Sequence, residues 1–367
     1  MSYDFFMPVR IVGGEHVVQK QAQRLRDLGQ SCLIVTGGSG AKRSGALEET
    51  KAALESVGVR YEVFDRIEQN PKTETCRQAG QAARDCGADF VIGIGGGSAL
   101  DASKAIALFA THPALEADDI YKMQFSAAPL PTVGIGTTAG TGSEVSGVSV
   151  LTDNRGVKHS IKGEKVYFNL VLADWRYTAS CPFSITASTA LDAFMHAVEG
   201  WLGPKCGEVA TTFAIAALPV IWRELKRMYQ TRELPDDEQR RLLYHASLDA
   251  GFTLNQCGTL FPHQAGYILT EHYGVPHGRA CAAFFGELFR RAEQYEPARA
   301  ASLLELLDDD REEVLRVIDE LADCHGLPID PALVAQQVKR WQTAPANFLS
   351  TPGGFTMQDA EKSLLSL

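Results

Sequence analysis

The chain's 367 residues exceed what one hydrophobic core usually organises, so two domains are expected. Its 45% hydrophobic and 22% charged residues are those of an ordinary globular protein, and a formal net charge of -10 with a pI near 5.4 works against nucleic acid or an anionic membrane as partner. The opening stretch MSYDFFMPVRIV has neither the pattern of a cleavable signal nor a membrane-length apolar run, and the eight cysteines are scattered with no CxxC pair. Both features lead to the expectation of a cytoplasmic protein whose isolated thiols serve as small core residues.

In the first half, apolar runs at residues 9–12, 32–35, 61–64, 90–94 and 132–136 alternate with helical patterns at 17–28, 46–57, 73–86 and 102–109. Strands that are apolar almost throughout predict an α/β, Rossmann-like parallel sheet covered on both faces, with ligands at the C-terminal ends of the strands. After residues 170–174 the strand signal fades. Helical patterns then follow at 187–202, 209–229, 237–254, 264–272, 298–307, 312–324 and 357–365. This places a dinucleotide-binding α/β domain at residues 1–178 and an all-helical, metal-binding domain at 179–367.

Directly after residues 90–94 comes Gly95-Gly96-Gly97-Ser98-Ala99-Leu100-Asp101, running into a helix. Glycines let the backbone come close to a pyrophosphate, and the helix start offers unpaired N–H groups and the positive end of a dipole. Alone, such a segment is also compatible with a plain tight turn. Two further segments at strand ends favour a dinucleotide. Gly37-Gly38-Ser39 follows the second strand with no carboxylate for a ribose 2′-hydroxyl and with Lys42 and Arg43 nearby, which favours NADP(H) over NAD(H). Thr137-Thr138-Ala139-Gly140-Thr141-Gly142-Ser143 follows residues 132–136 with hydroxyl and backbone donors suited to the nicotinamide amide and its adjoining phosphate, although by itself it reads equally as a polar loop.

In the helical half, Asp192 and His196 are four residues apart, so both leave one face of one helix. His263 and His277 bracket a helix and a turn and are positioned to close a site from other elements. Each histidine alone reads as structural. Three imidazoles and a carboxylate together form a mixed N/O donor set suited to Fe(II), Zn(II), Mn(II) or Co(II).

Gly95-Gly96-Gly97-Ser98 with Asp101 and Lys104, the run from Thr137 to Glu144-Val145, Leu191-Asp192-Ala193 with His196 and Glu199, and Val275-Pro276-His277-Gly278 make the whole chain resemble the iron-containing (group III) alcohol dehydrogenase family. The resemblance implies the dehydroquinate synthase-like architecture, with a Rossmann-like domain and an all-α domain. It implies Fe(II), with Zn(II) or Mn(II) as alternatives, held by Asp192, His196, His263 and His277. It also implies that Asn70 and Lys158 approach the cofactor, that Gly37 stands where related members carry an NAD-favouring aspartate, and that the protein is a homodimer or larger homo-oligomer. The expected activity is reversible hydride transfer between nicotinamide C4 and a metal-bound small alcohol or aldehyde. Tyr267 departs from the pattern, since many alcohol-oxidising members carry a second histidine there. It and His277 are the catalytic candidates, with Tyr267 either donating a proton or walling the substrate pocket. Arg279 is a candidate partner for an anionic group on the substrate. The alternatives are a redox-neutral, NAD-dependent lyase or cyclase of dehydroquinate synthase type and a non-catalytic NAD(P)-binding protein.

Overall fold

Short strands of Val, Ile, Leu and Gly organise the first half of the chain. The structure, a computed structural model, describes residues 4–342 and 345–367. Residues 1–3, at the head of the expected N-terminal domain, and 343 and 344, inside the expected helical one, lie outside the described residues. The chain divides into two compact units, Met7–Cys181, and Pro182–Leu367 with residues 4–6.

The first unit runs β1 (Arg10–Gly13), α1 (Val17–Lys20), α2 (Ala22–Leu28), β2 (Ser31–Gly37), α3 (Gly40–Arg43), α4 (Ala46–Ser56), β3 (Arg60–Ile67), α5 (Thr73–Asp85), β4 (Phe90–Gly95), α6 (Gly97–Thr111), β5 (Thr132–Gly136), β6 (Val148–Thr152), β7 (Lys158–Lys162) and β8 (Leu170–Ala173). Six of these strands form one sheet in the order β1-β8-β5-β4-β2-β3, and every neighbouring pair is parallel. The alternation of side chains along β2 explains its two covered faces: Cys32 and Ile34 pack with Val18, Leu25 and Leu54, while Leu33 and Val35 pack with Ala105, Leu108 and Phe109. The chain passes from β2 outward to β3 and then returns to β4 on the other side of β2. That reversal opens a crevice at the C-terminal ends of β2 and β4, where doubly wound sheets bind their ligands.

The second unit comprises α7 (Phe183–Leu202), α8 (Glu208–Thr231), α9 (Asp237–Cys257), α10 (Phe261–His272), α11 (His277–Ala282), α12 (Phe285–Tyr295), α13 (Pro297–Leu307), α14 (Arg311–Ala322), α15 (Pro331–Trp341), α16 (Ala346–Leu349) and α17 (Met357–Leu365). Helix α7 is buried on nearly every side from Ala190 to Gly200, as expected of a helix whose neighbours surround it. The N-terminal residues join this unit because Gln256 and Asn255, at the end of α9, donate to the carbonyl oxygens of Asp4 and Phe6. No helix among the described residues is long and apolar enough to cross a membrane.

The expected α/β parallel-sheet and all-helical architecture is therefore present, with local differences. The helix expected over 17–28 breaks at Gln21, whose backbone leaves the helical region (φ -108, ψ 13). The helix expected over 102–109 begins already at Gly97, so the glycine segment itself forms the first turn. The turn and new start expected at residues 273–278 lead into α11, while the β6–β7 hairpin and helices α3, α12, α15 and α16 have no counterpart among the expected elements.

Candidate functional site

In the α/β unit the glycine and hydroxyl segments converge. The Thr137 N–H donates to Gly95 O at 2.9 Å, tying the end of β5 to the end of β4. A Cβ on Gly97 would lie 2.8 Å from Thr141 Cγ2, and one on Gly96 would lie 3.3 Å from the Thr138 side chain. Gly38 has φ +52, a conformation that favours glycine, and Gly40, one residue past Ser39, faces Thr137. The Asn70 N–H reaches Ser98 Oγ at 3.4 Å, and Thr152, which pairs with Lys158 in the hairpin, donates from Oγ1 to Asn70 O and from N to Pro71 O. The unanticipated hairpin thus brings the Lys158 strand to Asn70 and the glycine loop.

Two of the expected cofactor-contacting residues, Asp101 and Ser143, also bond to each other. Asp101 accepts from Ser143 Oγ (2.5 Å) on one carboxylate oxygen and from the Val150 N–H (2.9 Å) on the other. Burial pushes its carboxyl up, opposed by Lys104, Ser143 and Val150. Asp101 and Ser143 thus brace the loop from inside the unit, each Asp101 oxygen keeping a further lone pair. At the end of β2, a Cβ on Gly37 would lie 2.4 Å from Ile67 O, at a register shift between β2 and β3, so the backbone of β3 occupies the place of any side chain there. Of the nearby cations, Lys42 is paired with Asp65 at 3.0 Å and Arg43 is exposed on α3.

The helical unit gathers the four expected ligands. One oxygen of Asp192, Oδ1, lies 3.5 Å from His263 Nε2, 3.8 Å from His196 Nε2 and 3.9 Å from His277 Nε2. The His196 and His263 rings stack at 4.6 Å, with His277 edge-on to His263 at 5.5 Å. Glycine makes this convergence possible: a Cβ on Gly278 would lie 1.8 Å from Ser188 O of α7, and one on Gly266 would lie 3.0 Å from the backbone of Ala280. Helices α7, α10 and α11 approach closely because neither residue has a side chain.

The residues fit a cation. Asp192 Oδ1 and His263 Nε2 are buried and make no hydrogen bond, an arrangement that is costly unless another group satisfies them. Ligand atoms about 2.1 Å from a tetrahedral metal sit about 3.4 Å apart, close to the observed separations. Burial alone would raise the Asp192 carboxyl, but the imidazoles of His196, His263 and His277 outweigh it and hold the carboxylate well below its usual range.

Glu199 and Cys281 belong to this cluster, and neither has an expected role from its place in the chain. Glu199 Oε1 accepts from His263 Nδ1 at 2.5 Å, while its Oε2 accepts from the Leu260 N–H at 2.6 Å. A carboxylate on Nδ1 leaves the Nε2 lone pair directed at the cation site. Glu199 lies seven residues after Asp192, on the same helical face, and that spacing was the available signal. Cys281 lies one turn after His277; its ligand atom and those of Asp192, His263 and His277 all fall within 4.8 Å of one another. Burial pushes this thiol up to about 11.

Tyr267, one turn after His263, stacks on the His277 ring at 5.7 Å. Arg279 requires a correction. Its Nε donates to Ala322 O (2.8 Å), and its Nη2 donates to Asp323 O (3.0 Å) and Oδ2 (2.7 Å), so the guanidinium closes the C-terminal end of α14 instead of awaiting a substrate anion.

A sheet with glycine and hydroxyl loops at its reversal point, with a buried carboxylate and imidazole cluster in a helical unit, defines a class of dinucleotide-linked metal enzymes. Residues 8–175 match the family Iron-containing alcohol dehydrogenase, and residues 186–344 match Fe-containing alcohol dehydrogenase family, C-terminal. Sulfoacetaldehyde reductase of Bilophila wadsworthia is 27% identical over 88% of this chain and 84% of its own length, and 1,3-propanediol dehydrogenase of Citrobacter freundii is 30% identical over 84% and 81%. The crystal structure of an iron-containing alcohol dehydrogenase from Thermotoga maritima is 31% identical with a TM-score of 0.90, covering 99% of this chain and 98% of its own. The chain belongs to the iron-containing alcohol dehydrogenase family and is an oxidoreductase. Neither the redox-neutral lyase nor the non-catalytic binder is favoured by these relatives.

Proposed function

We propose that this oxidoreductase is a metal-dependent, NAD(P)(H)-linked alcohol dehydrogenase that also works as an aldehyde reductase on small substrates, with NADP(H) preferred. The observation that carries this reading is the buried, unsatisfied Asp192 oxygen facing three imidazole nitrogens at 3.5–3.9 Å. Fe(II) is the first candidate, with Zn(II) or Mn(II) compatible with the same N/O donors. When bound, the cation supplies Lewis acidity at the substrate oxygen and the nicotinamide supplies or accepts the hydride.

The chain's own residues do the rest. Asp192, His196, His263 and His277 hold the cation, and Glu199 fixes the His263 ring so that Nε2 remains its donor atom. Tyr267 Oη holds the substrate proton beside His277. Gly37, Gly38, Ser39, Gly95, Gly96, Gly97, Ser98, Thr137, Thr138 and Thr141, with Asn70 and Lys158, cradle the dinucleotide, and Asp101 and Ser143 set the loop's shape. The backbone of Ile67 against Gly37 supports the NADP(H) preference, because no carboxylate stands there to claim the ribose 2′-hydroxyl. Eight free cysteines suit a reducing cytoplasm, and a homodimer or larger homo-oligomer is the expected assembly.

The test is anaerobic removal of metal by a chelator, reloading with Fe(II), Zn(II) or Mn(II), and measurement of NADPH and NADH oxidation against a panel of aldehydes. NADPH consumption that returns only with metal is expected. Consumption without metal would remove the cation from the chemistry, and tight NADP(H) binding with no turnover under any condition would restore the non-catalytic reading. The relative named sulfoacetaldehyde reductase favours a second substrate reading, an aldehyde with a remote anionic group. Arg279 is committed to α14, so neutral and anionic aldehydes of equal length are expected to react alike; a strong anionic preference would direct attention to another cation.

A further inference from the structure

Two cysteines outside the metal cluster meet in the helical unit. Cys206 lies in the connection between α7 and α8, and Cys257 is the last residue of α9; both are partly exposed and free. Cys257 Sγ lies 3.5 Å from the carbonyl oxygen of Lys205, the residue directly before Cys206, and its Cβ and Sγ flank the bare Cα of Gly200. Cys206 Sγ lies 3.4 Å from Thr211 Oγ1. The Arg299 guanidinium is held over the same turn by the carbonyl oxygens of Trp201, Gly203 and Cys206. Both thiols therefore sit at the one turn that joins α7 to α8. A hydrogen bond from Cys257, opposed by burial and aided by Thr211 and Arg299, brings the Cys206 thiol down to about 6, and the same contact pushes Cys257 up.

We propose that Cys206 and Cys257 are a redox site, closing a reversible intramolecular disulfide under a hydroperoxide oxidant and thereby loosening the metal centre. With hydrogen peroxide, the Cys206 thiolate attacks one oxygen and breaks the O–O bond, which leaves a sulfenic acid on Cys206 and releases hydroxide that takes a proton from solvent to become water. The Cys257 sulfur then attacks the Cys206 sulfur, forming the S–S bond, while the departing hydroxide takes the Cys257 proton as a second water. Two electrons pass from the two thiols to the peroxide, and a dithiol reductant reverses the change.

The connection to the metal residues is short. Leu260, whose N–H donates to Glu199 Oε2, is three residues past Cys257, and Cys206 is four residues past the end of α7, which carries Asp192, His196 and Glu199. Drawing the sulfurs to the roughly 2.05 Å of a disulfide pulls on both segments that orient Glu199 and, through it, His263. This second half rests on the metal-centre reading; the disulfide itself does not.

The experiment uses the full-length protein loaded with zinc, a redox-inert ion, titrated with hydrogen peroxide and mapped by mass spectrometry of non-reduced peptides. A Cys206–Cys257 linked peptide is expected to form before other cysteines oxidise and to vanish with dithiothreitol. Zinc transfer to a chelator should become about tenfold faster in the linked form, the lower end of the range for disturbing a ligand's carboxylate partner. Cys206→Ser should keep basal turnover and abolish both changes, and Cys257→Ser should leave a Cys206 sulfenic acid that dimedone traps. Absence of the linked peptide with both cysteine peptides identified, or preferential linkage of another pair, would overturn the proposal. A linked form that releases zinc no faster than the reduced one would overturn the connection to the metal centre. Because peptide mapping does not depend on turnover, failure of the dehydrogenase reading leaves the disulfide result intact.

Discussion

The loops at the ends of β2, β4 and β5 and the cluster on α7, α10 and α11 both suit charged groups, and they are built from opposite materials. The loops work by the absence of side chains: Gly37 makes way for Ile67 O, and Gly97 for Thr141. Their donors are backbone N–H groups and short hydroxyls. The cluster works by buried side-chain donors, with Asp192 Oδ1 and His263 Nε2 lacking hydrogen bonds of their own. A site made of backbone is harmed when atoms are added, and a site made of donors is harmed when they are removed. The difference therefore predicts which substitution damages which half.

The largest effect should come from truncating the residue that faces all three imidazoles. Asp192→Ala is expected to abolish bound metal, read by elemental analysis, and to lower turnover on the order of 10³-fold, the worth of several kcal/mol of Lewis-acid stabilisation. NADP(H) affinity should stay near that of the unaltered protein. Metal retained at full occupancy would mean that the imidazoles suffice, and the contrast between the two sites would lose its sharpest member. Next in size is Glu199→Gln, which keeps the shape but removes the charge behind His263 Nδ1. Metal affinity should fall by about 10–100-fold in a chelator competition. An unchanged affinity would reduce Glu199 to a strut for Leu260.

The sequence made the donor cluster easier to read than the loop architecture. Asp192 and His196 announce themselves because helical spacing fixes which side chains share a face, and the sheet was legible because buried parallel strands are apolar without interruption. Glu199 shares the helical face of Asp192, so its spacing was a signal, but its role behind His263 and that of Cys281 become visible only once the partner element is known. The β6–β7 hairpin escaped because burial along β6 alternates without a matching alternation in hydropathy, Ser149 being buried and Val148 and Val150 half-buried, and because it stands outside the main sheet. Arg279 misled for a related reason. Proximity in sequence to His277 says nothing about direction, and its guanidinium turns to the Ala322 carbonyl and to Asp323.

In the backbone-built half, Gly37→Asp would install a carboxylate at the end of β2, the kind of group that claims a ribose 2′-hydroxyl. A simple switch to NADH is not expected, because the new Cβ would lie 2.4 Å from a backbone oxygen that no rotamer change can move. The expected outcome is a loss of about 1–3 kcal/mol of stability on overpacking, seen in denaturant unfolding, with weakened NADPH binding and no gain for NADH. A clean gain of NADH affinity without destabilisation would show that β3 yields there.

The smallest effect separates packing from chemistry at one ring. Tyr267 stacks on His277, so Tyr267→Phe keeps the aromatic face and removes only the hydroxyl. If Oη holds the substrate proton, turnover should fall about fivefold, the equivalent of one neutral hydrogen bond of about 1 kcal/mol, while metal content stays constant. Unchanged turnover would leave Tyr267 as a wall of the pocket. A parallel fall in metal content would instead trace the loss to His277, whose ring then depends on the hydroxyl for its placement, and the donor cluster would extend one residue further along α10 than its nitrogen and oxygen atoms indicate.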